Sequence, residues 1–189
     1  MAVLTVVAGP NGAGKSTLTK TLEFEGRENL LDPDAIARRI DPINPNRARL
    51  AAGREILRRL HDCLAKNVSC IVETTLASKR ALETMQAAKN AGFRIDLVYI
   101  GLDSSERCIL RVQERVLQGG HDVADGDIRR RYVRGLVNLL QAIRIADRAV
   151  VYDNSENEHR KMIEAEDGTV TWSARQRPSW VAAIRSGLR

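Results

Sequence analysis

The fold of this chain is decided by one segment near its start, Val3-Leu4-Thr5-Val6-Val7-Ala8-Gly9-Pro10-Asn11-Gly12-Ala13-Gly14-Lys15-Ser16-Thr17. Its second part matches G-x-x-x-x-G-K-[ST], the pattern of a phosphate-binding loop. Such a loop must turn tightly so that several backbone N–H groups converge on one phosphate, and glycine permits this close approach. An apolar strand before the loop and a helix after it are the expected context. We therefore predict that residues Gly9 to Thr17 bind a nucleoside triphosphate, rather than form a turn without a ligand.

Two side chains of the loop are predicted to act on the phosphates. Lys15 supplies a cation to the outer phosphates, and Ser16 offers its hydroxyl to Mg²⁺. The helix that follows, predicted from Ser16 to Glu23, directs its positive N-terminal end at the same anion.

The remaining pattern alternates strands and helices. Strands are predicted at Asn29–Leu31, Ser69–Val72, Arg94–Ile100 and Ala149–Tyr152. This alternation predicts an α/β fold of the P-loop NTPase type, with a parallel sheet between two layers of helices. A C-terminal β-hairpin is predicted around Asp167-Gly168. At 189 residues, the chain is expected to form a single domain over residues 1–189.

Composition narrows the class of protein. The net charge is +6, but the basic residues are dispersed among 24 acidic ones, and aromatic residues make up only 4% of the chain. A stacking platform for single-stranded nucleic acid is therefore not expected. The three cysteines lack metal-binding spacing and are typical of a reducing compartment. With no leader peptide or membrane span in the pattern, we expect a cytoplasmic protein, by default a monomer.

Polar residues follow two of the predicted strands. Asp34 comes after the strand at Asn29–Leu31, and Glu73 and Thr75 come after the next strand. Open α/β sheets bind ligands at the carboxyl ends of their strands, so these residues are candidates for a site. The alternative for Asp34 and for Thr75 is a helix cap. Between them, a helix from about Arg47 to Lys66 is predicted to bury one face, which carries Leu50, Leu57, Leu60 and Leu64.

Several segments, taken in order, resemble the zeta toxin family of P-loop kinases. They are Gly9–Thr17, Asp32-Pro33-Asp34, Glu73-Thr74-Thr75-Leu76, Gly119-Gly120-His121-Asp122-Val123 followed by Ile128-Arg129-Arg130-Arg131-Tyr132, and Val151-Tyr152-Asp153-Asn154-Ser155. That family uses ATP and Mg²⁺ to phosphorylate a sugar hydroxyl of UDP-activated amino sugars, typically UDP-N-acetylglucosamine. The resemblance implies the same kinase activity, and a separate antitoxin protein as a partner.

The resemblance also implies roles for individual residues. Asp34 matches the aspartate that accepts the proton of the sugar hydroxyl, and Arg111 matches a lid arginine that neutralises the transferring phosphoryl group. Glu73 and Thr75 match a carboxylate and a hydroxyl that hold the sugar. Glu55 matches a further substrate-binding acid, on a weaker alignment.

The lid region, about residues 104–135, departs from the family pattern. Typical members carry a second arginine where this chain has His121 or its neighbours, and Arg115, Arg130 or Arg131 could replace it. His121 is a candidate on the substrate side, and a loop residue with backbone contacts is the alternative. Asn154, where the last parallel strand would meet the nucleotide, is a candidate contact for ATP. For the arginines of the helix before the lid break, including Arg111, the alternative is a solvated face.

Two other functions stay open at this stage. One is a different P-loop small-molecule kinase, similar to chloramphenicol phosphotransferase or to adenylate or shikimate kinase. The other is a nucleotide-dependent switch ATPase whose output is conformation. The carboxylates at the ends of two strands favour a kinase, because a switch has no need of a second substrate pocket.

Overall fold

The chain folds around one mixed β-sheet. The computed structural model describes residues 1–21, 23–156 and 158–188. Its strands are β1 Val3–Ala8, β2 Leu30–Leu31, β3 Cys70–Thr74, β4 Arg94–Gly101, β5 Arg148–Asp153, β6 Arg160–Glu166 and β7 Thr169–Ser173. Within the described residues these strands form a single sheet in the order β2-β3-β1-β4-β5-β6-β7. The first five strands of that order run parallel, and β6 and β7 continue it as antiparallel neighbours. The predicted α/β class and the C-terminal hairpin are confirmed.

Helices cover both faces of the sheet. They are α1 Lys15–Thr21, α2 Pro33–Ile40, α3 Arg49–Ala65, α4 Lys79–Asn90, α5 Ser105–Leu117, α6 Asp125–Ile145 and α7 Ser179–Gly187, with a 3-10 turn at Arg27–Asn29. Leu22, which the predicted first helix included, lies outside the described residues. Across the ranges that the structure describes, no helix combines the length and the apolar character needed to cross a membrane.

Residues of the central strand β1 pack into two separate hydrophobic cores, one on each face of the sheet. All six residues of β1 are buried, as expected for a parallel strand with helices on both sides. Leu4 and Val6 pack with buried residues of α3, α4 and α7. Val7 packs with Leu18 of α1 and with buried residues of α5 and α6. The phosphate loop is therefore anchored by the most deeply buried strand of the molecule.

The predicted buried face of α3 is partly wrong. Leu60 is buried as expected, but Leu50 is 70% exposed and Leu57 is 37% exposed. The residues that α3 buries are Ala52, Ile56 and Leu60, which follow the i, i+4 spacing of a straight helix. At about 100° per residue, Leu50 and Leu57 lie on the helix surface beside this buried face and not on it. Leu50 and Leu57 face a cavity between α3 and α4.

The strand register brings the polar segments to one edge of the sheet. Ala8 pairs with Thr74 at the ends of β1 and β3, and Gly101 pairs with Asp153 at the ends of β4 and β5. Because the carboxyl ends of parallel strands meet at the same edge, every connection that leaves these strands faces one cleft. The candidate site lies there.

Candidate active site

The phosphate loop requires its glycines for steric reasons. Gly9 has φ 144°, and a Cβ on it would lie 2.1 Å from the carbonyl oxygen of Ile100. Gly14 has φ 89°, and its Cβ would lie 2.6 Å from Nδ2 of Asn154. A side chain at Gly9 would clash with the backbone of β4, and one at Gly14 would displace the Asn154 side chain. The loop is thus packed directly against the ends of β4 and β5.

Lys15 is folded back over this loop. Its Nζ donates to the carbonyl oxygens of Gly9 at 2.8 Å and of Pro10 at 2.9 Å. Burial lowers the pKa of Lys15, and the nearby carboxylates of Glu73 and Asp34 oppose that shift. The ammonium is therefore held between the phosphate loop and two acidic residues that come from other strands.

Glu73 faces the loop helix α1. Its carboxylate accepts from Ser16 Oγ at 3.0 Å and from Thr19 Oγ1 at 2.7 Å. The side chain is buried, and burial raises its pKa, while the Thr19 hydroxyl opposes the shift. The resemblance implied that Glu73 holds the sugar. Its hydrogen bonds join it to Ser16, the residue predicted to ligate Mg²⁺. The sugar-binding role of Glu73 stays a prediction.

These side chains fit a magnesium–nucleotide complex. Mg²⁺ in phosphoryl-transfer sites takes oxygen ligands, with one or two from carboxylates and the others from phosphates and water. The Ser16 hydroxyl and the Glu73 carboxylate supply such oxygens, and Asp32 is close enough to affect the pKa of Glu73. No group of three or more metal-binding His, Cys, Asp and Glu side chains occurs in the described chain, so a cage made of protein ligands alone is not built there.

The turn after β3 is strained. Leu76 has φ 57°, a left-handed conformation that a bulky side chain rarely adopts, and it is fully buried. Thr74 Oγ1 accepts from the Leu76 N–H at 3.1 Å, and the Leu76 carbonyl accepts from Asn138 Nδ2 at 2.8 Å. The strained turn directs Thr75 into the cleft beside Glu73. Backbone strain of this kind is concentrated at functional sites.

A cavity of about 500 Å³ opens over the phosphate loop, and we name it the donor side. Arg111 and Arg115 of α5 line it together with the loop. Arg111 Nη2 donates to the Asn154 carbonyl at 2.6 Å, and burial lowers the pKa of the Arg111 guanidinium. Arg111 is therefore near the loop, as the resemblance implied, and it joins α5 to the end of β5.

Asn154 also lies on the donor side. It is buried, and its Nδ2 donates to the Ala13 carbonyl at 2.9 Å. Asn154 Oδ1 and His159 Nε2 are buried with no hydrogen-bond partner among the described residues. His159 lies edge-on to Tyr152 and lines the cavity. Sequence reasoning missed His159, because no motif precedes it and only the fold brings it to Gly14.

A second cavity of about 440 Å³ adjoins the first, and we name it the acceptor side. Asp34 lies on its wall with Thr75, and the arginines around it are Arg49, Arg130, Arg131 and Arg134. Asp32, not Asp34, caps α2, because Asp32 Oδ1 accepts from the backbone N–H groups of Asp34 and Ala35. The Asp34 carboxylate is exposed and has no hydrogen bond or ion pair within the described residues.

Arg131 is the lid-region arginine that reaches both sides. Its Nη1 donates to Asn11 Oδ1 of the phosphate loop at 3.3 Å, and it lines the acceptor cavity. Burial and the charge of Arg49 lower the pKa of Arg131, while Asp127 and Asp34 oppose the shift. Arg131 Nη2 also pairs with Asp127 at 3.7 Å. Arg130 pairs with Asp127, and Arg115 Nη2 donates to the His121 carbonyl at 2.5 Å.

Two further candidates, Glu55 and His121, line neither of these cavities. Glu55 is on a different face of α3, where it pairs with Arg58 at 2.9 Å and Arg59 at 2.7 Å, and these guanidinium groups lower its pKa to about 2. A helix presents successive residues about 100° apart, so Glu55 points away from the cleft that Gly53 and Ile56 line. His121 lines neither cavity. Partial burial lowers its pKa, and the charge of Asp34 opposes this.

Comparisons with known proteins agree with this geometry. The model of the family described as AAA domain matches residues 4–130. This range contains the phosphate loop and most of the residues that line the two cavities. The chain belongs to the AAA-domain family. An uncharacterised protein of Haemophilus influenzae is 35% identical to this chain over 124 residues. The match covers 66% of this chain and 88% of that protein.

Two solved structures have the same fold as this protein over almost the whole of its chain. A structure from the PezAT chromosomal toxin-antitoxin system of Streptococcus pneumoniae matches with a TM-score of 0.63 at 15% identity, covering 98% of this chain and 77% of that one. The AvrRxo1-ORF1:-ORF2 complex with ATP matches with a TM-score of 0.74 at 13% identity, covering 100% and 76%. The chain therefore shares the fold of these two structures, and the P-loop NTPase-like fold that the sequence predicted is confirmed.

Proposed function

We propose that this protein is a kinase that transfers the γ-phosphoryl group of ATP to a hydroxyl of a UDP-activated amino sugar such as UDP-N-acetylglucosamine. The observation that carries the proposal is the position of Asp34. An exposed carboxylate, with no hydrogen bond or ion pair among the residues that the structure describes, lies in the acceptor cavity and within electrostatic range of Lys15. A nucleotide switch has no use for such a group.

The proposed mechanism divides the work between the two cavities. ATP lies on the donor side, with its phosphates over residues Gly9 to Thr17. Mg²⁺, when bound, neutralises phosphate charge, and Ser16 and Glu73 would hold it. Lys15 and Arg111 stabilise the charge on the γ-phosphoryl group, and Arg131 approaches the same group from the acceptor side. A positioned arginine of this kind contributes roughly 10³ to 10⁵ in rate in related systems.

Asp34 acts on the acceptor. Its carboxylate accepts the proton of the acceptor hydroxyl as that oxygen bonds to the γ-phosphorus and the bond to the leaving ADP breaks. Thr75 contacts the acceptor from the turn after β3. General-base assistance contributes about 10² to 10⁴ in rate.

The charge of the acceptor cavity supports an anionic acceptor. Arg49, Arg130 and Arg134 line the wall around Asp34, and guanidinium groups bind phosphate oxygens through paired hydrogen bonds. A diphosphate-linked sugar has such oxygens beside a free hydroxyl. The neighbour from a toxin-antitoxin system supports a further part of the proposal, a separate antitoxin as partner. We also propose that residues 1–189 act as one kinase domain, with its lid at about residues 104–135.

The test is direct. The purified protein is incubated with ATP, Mg²⁺ and a panel of UDP-sugars, free sugars and nucleosides, and products heavier by one phosphoryl group are identified by mass spectrometry. A phosphorylated UDP-amino sugar that is lost in Asp34→Asn is the expected result. Transfer to a different acceptor, with the same dependence on Asp34, would replace the sugar assignment with another P-loop small-molecule kinase. ATP turnover that no acceptor changes would overturn the kinase proposal in favour of a switch.

A further inference from the structure

The acceptor cavity has an apolar extension. A second space of about 290 Å³ lies between α3 and α4 on the sheet, and its walls include Val6, Leu57, Leu60 and Val72. It shares Gly53, Ile56, Glu73 and Thr74 with the acceptor cavity, so the two are continuous. A ligand bound beside Asp34 can therefore extend into an apolar chamber without leaving the protein.

Gly53 lies at the junction of the two spaces. It is in the interior of α3, where glycine costs about 0.5–1 kcal/mol relative to alanine. Close packing often explains such a glycine, but a Cβ on Gly53 would meet nothing within 4 Å. Its helical conformation does not require glycine either. The missing side chain instead leaves the passage between the acceptor cavity and the chamber open.

The mouth of the chamber exposes large apolar side chains. Leu50 is 70% exposed and Leu57 is 37% exposed, although both line this space. Apolar side chains gain from contact with an apolar ligand in proportion to the area that is removed from water. A volume of about 290 Å³ is near the lower end for a small-molecule pocket, and it accommodates part of a ligand rather than a helix of another protein.

We infer that the acceptor is an amphipathic small molecule: its anionic part and its reacting hydroxyl lie among the arginines near Asp34, and an apolar group passes Gly53 into the chamber between α3 and α4. Among amino-sugar nucleotides, an acyl chain longer than acetyl satisfies this description. The inference rests on the proposed acceptor cavity, and it narrows the substrate class of that cavity.

The first test uses binding alone and does not depend on phosphoryl transfer. The fluorescent probe 8-anilinonaphthalene-1-sulfonate combines an anion with an apolar ring system. We expect it to bind the wild-type chain, and to bind Gly53→Leu at least tenfold more weakly because the leucine fills the passage. Gly53→Ala adds a single methyl group and should reduce affinity much less. Both replacements favour the helix, so folding, followed by circular dichroism, should be retained.

Gly126→Leu is the matched control. Gly126 is also a helical glycine whose Cβ would meet nothing within 4 Å, and it lines none of the cavities described above. This variant should bind the probe like the wild type. Equal binding by Gly53→Leu and Gly126→Leu would overturn the inference.

The second test uses transfer. UDP-N-acetylglucosamine is compared with the same nucleotide sugar carrying an N-hexanoyl group, and we expect kcat/KM to be at least tenfold higher for the hexanoyl acceptor. Gly53→Leu should abolish this preference. A preference for the acetyl form would overturn the inference while leaving the kinase proposal intact. Probe binding that requires Gly53, without transfer to any acceptor, would support the chamber and overturn the kinase proposal.

Discussion

The donor side and the acceptor side of the cleft are built differently. On the donor side, polar groups bond to one another: Glu73 joins Ser16 to Thr19, and Asn154 joins Ala13 to the end of β5. On the acceptor side, the Asp34 carboxylate and the Arg49 guanidinium have no hydrogen bond or ion pair within the described residues. Buried bonded groups contribute to stability, whereas exposed charges contribute little. The donor side is thus part of the fold, and the acceptor side is available for a ligand.

The largest expected effect is on the acceptor side. Asp34→Asn removes the proposed base and should lower kcat by about 10² to 10⁴. Because the carboxylate has no partner in the described chain, the midpoint of thermal unfolding and the affinity for ATP should stay unchanged. Steady-state kinetics and calorimetry check both halves. A variant that loses ATP affinity along with kcat would show that Asp34 belongs to the donor side.

The complementary change is on the donor side. Asn154→Ala leaves the Ala13 carbonyl without its buried donor, and it should lower the free energy of unfolding by about 1–3 kcal/mol. The affinity for ATP should weaken in parallel, because the phosphate loop loses a support. Urea denaturation and nucleotide titration measure the two quantities. Unchanged stability would contradict the contrast between the two sides.

Arg49→Ala probes the acceptor side again, with a smaller effect. The free energy of unfolding should change by less than about 0.5 kcal/mol, since surface substitutions usually fall within that range. The KM for an anionic acceptor should rise by roughly tenfold, which corresponds to about 1.4 kcal/mol for a lost charged hydrogen bond. The KM for ATP should not change. A rise in that KM would show that Arg49 acts on the donor side.

Glu73 should give the donor side a pH dependence. Burial raises the pKa of Glu73 in the folded chain, so the folded chain binds this proton more tightly than the unfolded chain does. Without Mg²⁺ and nucleotide, the wild type should therefore lose stability relative to Glu73→Gln as pH rises from the ordinary carboxyl pKa near 4.5 through the raised pKa. Unfolding midpoints of both proteins across that interval test the sign. A wild type that gains stability relative to Glu73→Gln as pH rises would contradict it.

The smallest effect is expected at Glu55. Glu55→Gln breaks ion pairs with Arg58 and Arg59 on a face away from the cleft. Neither kcat nor the KM of either substrate should change, because the side chain contacts neither cavity. A raised acceptor KM would restore the substrate-binding role that the resemblance implied.

Local sequence patterns predicted the parts of this molecule that local physics determines. The phosphate loop, the alternating strands and helices, and the hairpin around Asp167-Gly168 follow from glycine placement and apolar runs. The hydrogen bond from Ser16 to Glu73 joins residues 57 positions apart, and the one from Asn154 to Ala13 joins residues 141 apart. Such contacts depend on strand order, and no pattern in a single sequence fixes it.

The errors on α3 have a similar cause. Leu50 and Leu57 were assigned to the buried face from spacing, but the face that a helix buries depends on how it is rotated against its neighbours. Here α3 buries Ala52, Ile56 and Leu60, which leaves the leucines at the mouth of the chamber and Glu55 among arginines. Binary patterning therefore predicted the helix correctly and its orientation wrongly.

The fluorescence of Trp180 can report on the donor side. Its Nε1 donates to the buried carboxylate of Asp153 at 3.0 Å, and Asp153 directly precedes Asn154. Trp180 is itself buried, and its ring centroid lies 6.1 Å from that of Tyr99. The other tryptophan of the chain, Trp172, is 42% exposed. Replacing Trp172 with phenylalanine would leave one buried emitter, whose ultraviolet emission reports on the end of β5 without an attached dye.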